Sequence, residues 1–229
     1  MSQQKLFTQE ELKKMCMRPL DLIKDSADSG DFEKTKRRAE QLHTRAVNIH
    51  DTYRDWVTGL LSFIGRQYGD EVLRQALEES MTPIVLSTQE VLEKETDIRK
   101  RVRFFVRFMH SHWQPLDIIE DDEKFILKML PCGSGGRMIQ EGKYGPPLNY
   151  LKVKKAQPIT YWKEDFPVYC CHGPIWNSIP LAHGRKPMFL EICSEKPGEE
   201  PCEFWLFKDP ESIPAEAYKK AGIELKTED

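Results

Sequence analysis

Three residues near the end of the chain have types and spacing that predict a metal site: Glu191, Cys193 and Cys202. Glu191 and Cys193 are two residues apart, so on a β-strand their side chains project from the same face. The Pro197-Gly198 pair predicts a turn that folds Cys202 back toward them on a second strand. Two thiolates and a carboxylate suit zinc, which needs a fourth donor. The alternative is that both cysteines are ordinary buried residues and Glu191 is a surface charge.

The expected source of the fourth donor is the Cys170-Cys171-His172 triplet. Adjacent side chains on an extended segment point to opposite sides, so one cysteine is expected to face the metal and the other the core. Pro174 is expected to begin a helix, whose N-terminus would lower the pKa of a thiol just ahead of it. We predict one of Cys170 and Cys171 as a ligand and the other, or Cys132, as a nucleophile or second-site ligand. His172 is predicted either as an acid/base or, in place of Glu191, as a ligand. A structural cysteine pair beside a solvent-facing histidine is the alternative.

A glycine-rich turn spans residues 130–137 and contains Cys132 and Arg137. Its glycines let the backbone approach a ligand closely, but the Gly-Lys-Ser/Thr element of a P-loop is missing. We predict Cys132 as a nucleophile or second-site ligand and Arg137 as an anchor for a substrate carboxylate, since guanidinium pairs bidentately with carboxylate. A plain tight turn is equally compatible. On the preceding long helix, His50 and Tyr53 are predicted to line a ligand pocket.

Composition limits the possible partners of this chain of 229 residues. Lysine and arginine number 34 against 37 acidic residues, a net charge of −3, so a nucleic-acid partner is not expected. No apolar window of 18 residues and no secretory core are present, which predicts a cytoplasmic protein with no membrane partner. Cysteines in that compartment stay reduced, and their clustering in the second half favours metal binding or catalysis over disulfides.

The first half of the chain has helical periodicity. Apolar residues recur at steps of three and four over residues 31–66, which predicts one long amphipathic helix. A Thr8-x-x-Glu11 capping box predicts an earlier helix over about residues 8–24. Gly69-Asp70 and Pro83 are each expected to begin a shorter helix, and residues 98–112 form a last one.

The second half reads as short strands separated by turns. Residues 116–119 and 125–130 predict a hairpin around an acidic turn, and further strands are expected at residues 137–140, 159–162, 188–193 and 203–208. Short helices are expected after Pro174 and Pro214. We therefore predict an α/β fold of the α+β kind, with a helical region of residues 1–114 packed on a mixed sheet in a cysteine-rich region of residues 115–229. The two regions are expected to form one integrated domain.

The C-terminal half resembles the 4-vinyl-reductase-type ligand-binding domain, whose members carry a Glu-x-x-Cys…Gly-x-x-Cys-Glu-Phe pattern that binds zinc with one further upstream cysteine. The matching residues are Glu191, Cys193, Gly198, Cys202, Glu203 and Phe204, with Cys170 or Cys171 upstream. Here Glu191 and Cys193 are one residue closer than in that pattern. Residues 60–70 look like the helix-Gly-helix start of the same domains. The chain is also similar to a group named for L-2-amino-thiazoline-4-carboxylate hydrolase.

These resemblances imply two functions. The first implies a sensor or carrier of small aromatic or tetrapyrrole-like ligands with a structural zinc, and the second implies hydrolytic opening of a small heterocycle. No helix-turn-helix, ATPase or kinase signature is visible, which favours an enzyme. We expect a zinc-containing hydrolase of a small carboxylated, heterocyclic or aromatic substrate, with a homodimer as an option. The alternatives are a binding or sensing module with structural zinc, and a redox or heavy-metal-handling thiol protein.

Overall fold

The structure is a computed structural model that describes residues 6–130 and 132–225. Pro131, within the predicted glycine-rich turn, lies outside these residues, as do residues 1–5 and 226–229. The chain divides into two compact units, one that ends at His50 and one that begins at Asp51. The units are described separately below, and the predicted integration of residues 1–114 with residues 115–229 stays a prediction.

The first unit contains two short helices, α1 (Gln9–Met15) and α2 (Pro19–Asp28), where the sequence predicted one helix over residues 8–24. The division follows from Pro19, which has no amide hydrogen to donate and therefore begins a helix more readily than it continues one. The predicted capping box is confirmed, since the Thr8 amide donates to the Glu11 carboxylate at 2.7 Å and the Glu11 amide donates to the Thr8 hydroxyl at 3.2 Å.

The span of α3, Phe32–Lys94, consists of two helices that meet at Gly69, so the predicted helix end near residue 66 and the predicted start of a new helix at Gly69-Asp70 are confirmed. Gly69, with a φ of 82°, interrupts it, because glycine adopts this left-handed conformation without the steric penalty of a side chain. Pro83 lies inside the helix, so its prediction as a helix start is wrong. Helix α4 (Ile98–Met109) follows and is capped by Asp97, whose carboxylate accepts from the Arg99 amide at 2.9 Å.

A four-stranded sheet of the second unit has the order β1-β2-β6-β5. Its strands are β1 (Leu116–Glu120), β2 (Lys124–Met129), β5 (Leu190–Ile192) and β6 (Glu203–Phe207), and a separate two-stranded sheet joins β3 (Lys152–Val153) to β4 (Phe166–Pro167). The hairpin predicted around the acidic turn is confirmed as β1 and β2. All strand pairs among the described residues are antiparallel, so the predicted mixed sheet is wrong while the α+β class is confirmed.

Two predicted strands are absent from the part of the chain that the structure describes. Residues 137–140 belong to helix α5 (Gly135–Gln140), and residues 158–160 form a 3₁₀ turn that ends at Tyr161. Short apolar runs do not distinguish a strand from a helix by periodicity alone, which is why both predictions failed. The helices expected after Pro174 and Pro214 are present as α6 (His172–Ala182) and α7 (Ala215–Lys220), although α6 begins two residues before Pro174.

Two apolar clusters of the second unit hold these elements in place. One packs Phe105 and Met109 of α4 against Leu127 and Phe189, with the Phe105 and Phe189 ring centroids 4.5 Å apart. The other cluster contains four cysteines and several large apolar side chains: Cys170, Cys171, Cys193, Cys202, Leu73, Val153, Phe166, Val168 and Ile175. Burial of such side chains stabilises the fold by about 1.5–3 kcal/mol each. No described helix has the length and apolar character that crossing a membrane requires.

Candidate metal centre

The β5–β6 hairpin brings Cys193 and Cys202 together. Glu191 pairs with Phe204 and Ile192 pairs with Glu203, so the next position along this register sets Cys193 opposite Cys202. The Cys193 thiol donates to the Ser194 carbonyl at 3.4 Å. Interaction with the Cys193 thiol, burial and the nearby Glu191 raise the pKa of Cys202 well above its usual range. Glu191 and Cys193 are only 7% and 8% exposed. The cross-strand geometry is the one that alternation and the Pro197-Gly198 turn predicted.

Cys170 joins the same cluster, whereas Cys171 points into the apolar core. A Cβ on Gly135 would collide with the Cys170 sulfur, which places that sulfur against α5. Burial raises the pKa of Cys170 well above its usual range, and the nearby Cys202 and Cys132 raise it further. Cys171 is fully buried among apolar side chains, and its thiol donates to the Pro167 carbonyl at 3.8 Å. The structure therefore separates the two adjacent cysteines.

Two details of the prediction for this pair are wrong. Cys170 and Cys171 lie on a 3₁₀ turn (Val168–Cys171), not on an extended segment, and consecutive side chains of such a turn diverge by about a third of a revolution. The thiol pKa values are raised, not lowered, because burial away from water disfavours the thiolate more than the start of α6 favours it.

Cys132 lies between this cluster and the protein surface. The Gly136 amide donates to its sulfur at 3.3 Å, and the Ser134 amide also donates to it. Burial raises the pKa of Cys132, these amides lower it, and the neighbouring Cys202 and Glu191 raise it again. Cys132 also lines a pocket of about 140 Å³, together with Leu130, Gln140, Gly198, Glu199, Glu200 and Pro201. The thiol is thus close to the buried cysteines and to a surface pocket at once.

Tyr161 is a member of this cluster that the sequence did not indicate. Its residue is 8% exposed, and its hydroxyl has no hydrogen-bond partner among the described residues. A Cβ on Gly173 would collide with this hydroxyl and would lie 2.6 Å from the Glu191 Oε1 atom, so both oxygens pack closely against Gly173. Burial and the nearby Glu191 raise the pKa of Tyr161 well above its usual range. An aromatic residue in a short apolar run carries no signal of this role.

Glu191 and His172 complete the polar part of the cluster. Hydrogen bonds with the Asn177 side-chain amide hold the Glu191 backbone at both its N–H and its C=O, each at 2.8 Å. Burial raises the pKa of Glu191, while His172 lowers it, so the two side chains interact. The Tyr169 carbonyl lies 2.6 Å from Nδ1 of His172 and therefore accepts a hydrogen from it. In the neutral imidazole this leaves Nε2 with a free lone pair.

The side chains of this cluster are of types that bind zinc, but they are not arranged as a coordination shell. Within residues 6–130 and 132–225, no group of three or more histidine, cysteine or acidic side chains is arranged to hold a metal ion. The residues that we call the thiol cluster nevertheless influence one another's pKa values: Cys132, Cys170, Cys193, Cys202 and Glu191. All six cysteines of the chain are free thiols. Thiolate-rich donors are those that zinc selects, and a cation would stabilise the ionised forms that burial disfavours.

Arg137 is engaged elsewhere. Its guanidinium pairs with Asp51 and lies 3.7 Å from the Glu141 carboxylate, beside the buried Arg54. These ion pairs compete with the predicted role of Arg137 as an anchor for a substrate carboxylate, which stays a prediction.

The two residues predicted to line a ligand pocket on the long helix are not part of the thiol cluster. Tyr53 is 57% exposed and packs on Trp56, with ring centroids 5.9 Å apart. It does not line the pocket beside Cys132. His50 is the last residue of the first unit and is half-buried. Their predicted role as ligand-binding residues is therefore not supported by this pocket and stays a prediction.

Comparison of the chain with protein-family models, with curated proteins and with solved structures finds no match.

Proposed function

We propose that this protein is a zinc-containing enzyme that hydrolyses a small molecule. The observation that supports the proposal is the cluster of Cys170, Cys193, Cys202 and Glu191, with Cys132 between it and a surface pocket. Zinc takes four donors, so a catalytic ion would use three of these side chains and keep one position open, where it would act as a Lewis acid toward a carbonyl or amidine group. The roles of the chain's own residues follow from their positions.

Cys132 is placed to meet a substrate first. Its thiol lines the pocket, and two backbone amides stabilise negative charge on its sulfur, so it serves as the nucleophile or as an exchangeable ligand. His172 is the acid/base, because its Nδ1 hydrogen is committed to the Tyr169 carbonyl and Nε2 is left to take up or release a proton. Both roles use side chains that contact the cluster.

The pocket favours a neutral or cationic group on the substrate. Glu199 and Glu200 line it, and a carboxylate facing them would be repelled. Arg137, the predicted carboxylate anchor, is paired with acidic side chains. Among the substrate classes expected from the sequence, we therefore favour a small heterocycle with a polar ring nitrogen over a simple carboxylic acid.

A second function, a binding module with a closed structural zinc, is favoured by one observation. The cluster contains more donors than the four that zinc takes, so cysteines alone could complete the shell and leave no position for a substrate. In that case Cys132 would be a ligand and the pocket would serve only as a route for the metal.

Metal content and hydrolysis together test both functions. Purified wild-type protein is expected to contain zinc in a one-to-one ratio and to hydrolyse at least one member of a panel that includes 2-amino-thiazoline-4-carboxylate and 4-nitrophenyl acetate. Cys202→Ala is expected to lose zinc and activity, and Cys132→Ala to keep zinc and lose activity. Cys16→Ala, which changes an exposed thiol of the first unit, is the control. Full activity in Cys132→Ala contradicts its nucleophilic role, zinc without hydrolysis favours the binding module, and wild-type protein that takes up no zinc overturns both functions.

A further inference from the structure

One face of helix α3, in the part that belongs to the second unit, carries large apolar side chains that are about half exposed. Their spacing sets them on one side of the helix, and we call them the apolar stripe: Tyr53, Trp56, Val57, Leu60, Phe63 and Tyr68. Their exposed fractions lie between 42% and 62%. On the opposite side of the same turns, Thr58 and Ser62 are buried. The helix therefore packs one face against its own unit and leaves an apolar face uncovered.

The apolar stripe has the composition of a protein-binding surface. Single exposed apolar side chains are common, but contiguous apolar patches of several hundred Å² mark interaction sites. Residues 56–65 include no charged side chain. The aromatic members form two neighbouring pairs: the rings of Tyr53 and Trp56 have centroids 5.9 Å apart, and those of Phe63 and Tyr68 are 6.1 Å apart. Tryptophan and tyrosine are the residues that most often dominate binding at interfaces.

Gly59 borders the apolar stripe, three residues after Trp56 and four before Phe63. A Cβ at this position would have nothing within 4 Å, so the packing of the chain itself does not require a glycine here. Glycine inside a helix destabilises it by about 1 kcal/mol relative to alanine. Close approach of another backbone is one of the conditions that do require glycine. A second helix that packs across Gly59 would therefore account for it.

The size and charge of this surface favour a second copy of the chain as its partner. A fully exposed aromatic side chain offers about 150–250 Å², so the half-exposed members of the stripe together offer roughly 500–600 Å². Two such surfaces bury roughly 1,000–1,200 Å² in total, which reaches the lower limit of a specific interface. A lipid surface fits less well, because interfacial helices are rich in lysine and arginine, whereas residues 51–70 contain two arginines and three aspartates.

We propose that the apolar stripe is the interface of a homodimer in which the α3 helices of two copies pack antiparallel, with Gly59 and Leu60 at the two-fold axis. In this arrangement the Gly59 residues of both copies meet on the same side of the interface, where they let the two backbones approach closely. Trp56 of each copy then lies against Phe63 of the other. In a parallel pair the two glycines would lie on opposite sides of the interface. The inference is independent of the proposed hydrolytic function.

Sedimentation equilibrium of the full chain over a range of concentrations tests the dimer. The wild type is expected to dimerise, and Trp56→Ala is expected to raise the dimer dissociation constant about thirtyfold, because a central aromatic residue is lost. Ile84→Ala is the matched control: Ile84 is 54% exposed but lies in the part of α3 beyond Gly69, outside the stripe, so the dissociation constant should not change. Gly59→Ala should raise it about tenfold, because the added methyl group separates the helices. The dilute, monomeric form of Gly59→Ala should nevertheless be more stable than the wild type.

Cross-linking tests the antiparallel arrangement. Leu60→Cys and Tyr68→Cys are each made in a Cys16→Ala background, which removes an exposed native thiol and serves alone as the baseline. The two copies of residue 60 lie at the axis, whereas the two copies of residue 68 are separated by about 25 Å along the helices. A short bismaleimide should therefore yield a covalent dimer of Leu60→Cys and not of Tyr68→Cys. Cross-linking of both variants would contradict the antiparallel arrangement.

The other outcomes overturn the inference. A wild type that stays monomeric at every concentration, or an unchanged dissociation constant in Trp56→Ala, shows that the stripe is not a dimer interface. Equal weakening by Ile84→Ala shows that the association does not depend on the stripe. A monomeric wild type that sediments with phosphatidylcholine vesicles, and loses this binding in Trp56→Ala, assigns the stripe to a lipid surface instead. Circular dichroism of Trp56→Ala is expected to match the wild type, because the replaced side chain is 60% exposed.

Discussion

Two buried polar regions of the second unit differ in how their charges are balanced. Around Arg54, whose side chain is 1% exposed, the acids Asp51, Asp55 and Glu141 are matched by Arg54, Arg137 and Lys143. In the thiol cluster, Glu191 and neighbouring cysteines raise the pKa values of Cys132, Cys170 and Cys202, and His172 lowers the pKa of Glu191.

The difference shows in the pKa shifts. Burial lowers the pKa of Arg54, but Asp51, Asp55 and Glu141 outweigh it, so the pKa is raised and the ionised form is stabilised. In the cluster, burial raises the pKa of Cys132, Cys170 and Glu191, so the ionised forms are disfavoured. The ion pairs around Arg54 therefore favour its charged form, whereas burial favours the neutral forms of the thiols and of the Glu191 carboxyl group.

Removing Arg54 is expected to have the largest effect on stability. Arg54→Met leaves three acids near one another without their buried partner, and we expect a loss of about 3 kcal/mol in the free energy of unfolding, at the lower end of the range for broken buried pairs. Arg137 and Lys143 remain to offset part of the repulsion. Urea unfolding measures the change. Arg74→Met is the control, because the Arg74 pairs with Glu71 and Glu78 are about a third exposed or more and should contribute less than about 1 kcal/mol. Equal losses in the two variants would contradict the distinction.

In contrast to the network around Arg54, the thiol cluster is expected to be stabilised by added zinc. Free zinc at ~100 times its dissociation constant should stabilise the folded protein by about 2.7 kcal/mol. The adjacent cysteines provide a matched pair: Cys170→Ala should abolish this zinc-dependent shift, and Cys171→Ala should keep it, because only the Cys170 thiol faces the cluster. Thermal unfolding with and without zinc measures the shift. If Cys171→Ala removes it and Cys170→Ala does not, the assignment of the two thiols is wrong.

Two glycine-to-alanine substitutions test how closely Gly173 packs against Tyr161 and Glu191. Gly173→Ala is expected to destabilise the protein by about 1–3 kcal/mol, because its Cβ would collide with the Tyr161 hydroxyl and lie 2.6 Å from Glu191 Oε1. Gly59, inside α3, has nothing within 4 Å of the corresponding position, so Gly59→Ala should stabilise the helix by about 1 kcal/mol. Thermal unfolding of both variants decides the point, and a stable Gly173→Ala protein would show that the space is not tightly defined.

Local patterns in the sequence were enough to predict the hairpin but not the complete cluster. Strand alternation and the Pro197-Gly198 turn predicted that Glu191, Cys193 and Cys202 converge, and the antiparallel register has the geometry that this requires. The approach of Cys132 could only be suggested, because it depends on where α5 packs. The sequence does not indicate that the Tyr161 hydroxyl is buried without a hydrogen-bond partner, because its burial depends on residues that are distant along the chain.

The network around Arg54 shows the same limit. Its members lie around position 54 and around position 141, and their pairing depends on contacts across 80 or more residues of chain. Arg137 was interpreted as a substrate anchor because a glycine-rich turn precedes it, whereas its partners are set by the packing of α5 against α3. The sequence around a single arginine does not indicate which acidic residue will form an ion pair with it.

The smallest expected effect concerns the surface turn between β1 and β2, where charges are also balanced within the chain. A hydrogen bond from the Lys124 side chain, followed by those from the Lys124 and Glu123 amides, lowers the pKa of Asp121 to about 2. Because the folded pKa lies below the unfolded value, this contribution is complete above about pH 4 and is lost as the pH falls toward 2. The carboxylate is 40% exposed, so solvent screening limits the contribution to below about 1 kcal/mol.

Asp121→Asn should therefore slightly lower the free energy of unfolding in urea at pH 7 and leave it unchanged at pH 2. Asp122→Asn, at the exposed neighbouring residue, should leave it unchanged at both pH values. A loss in Asp121→Asn that is equally large at pH 2 would mean that the turn depends on the shape of the side chain and not on its charge.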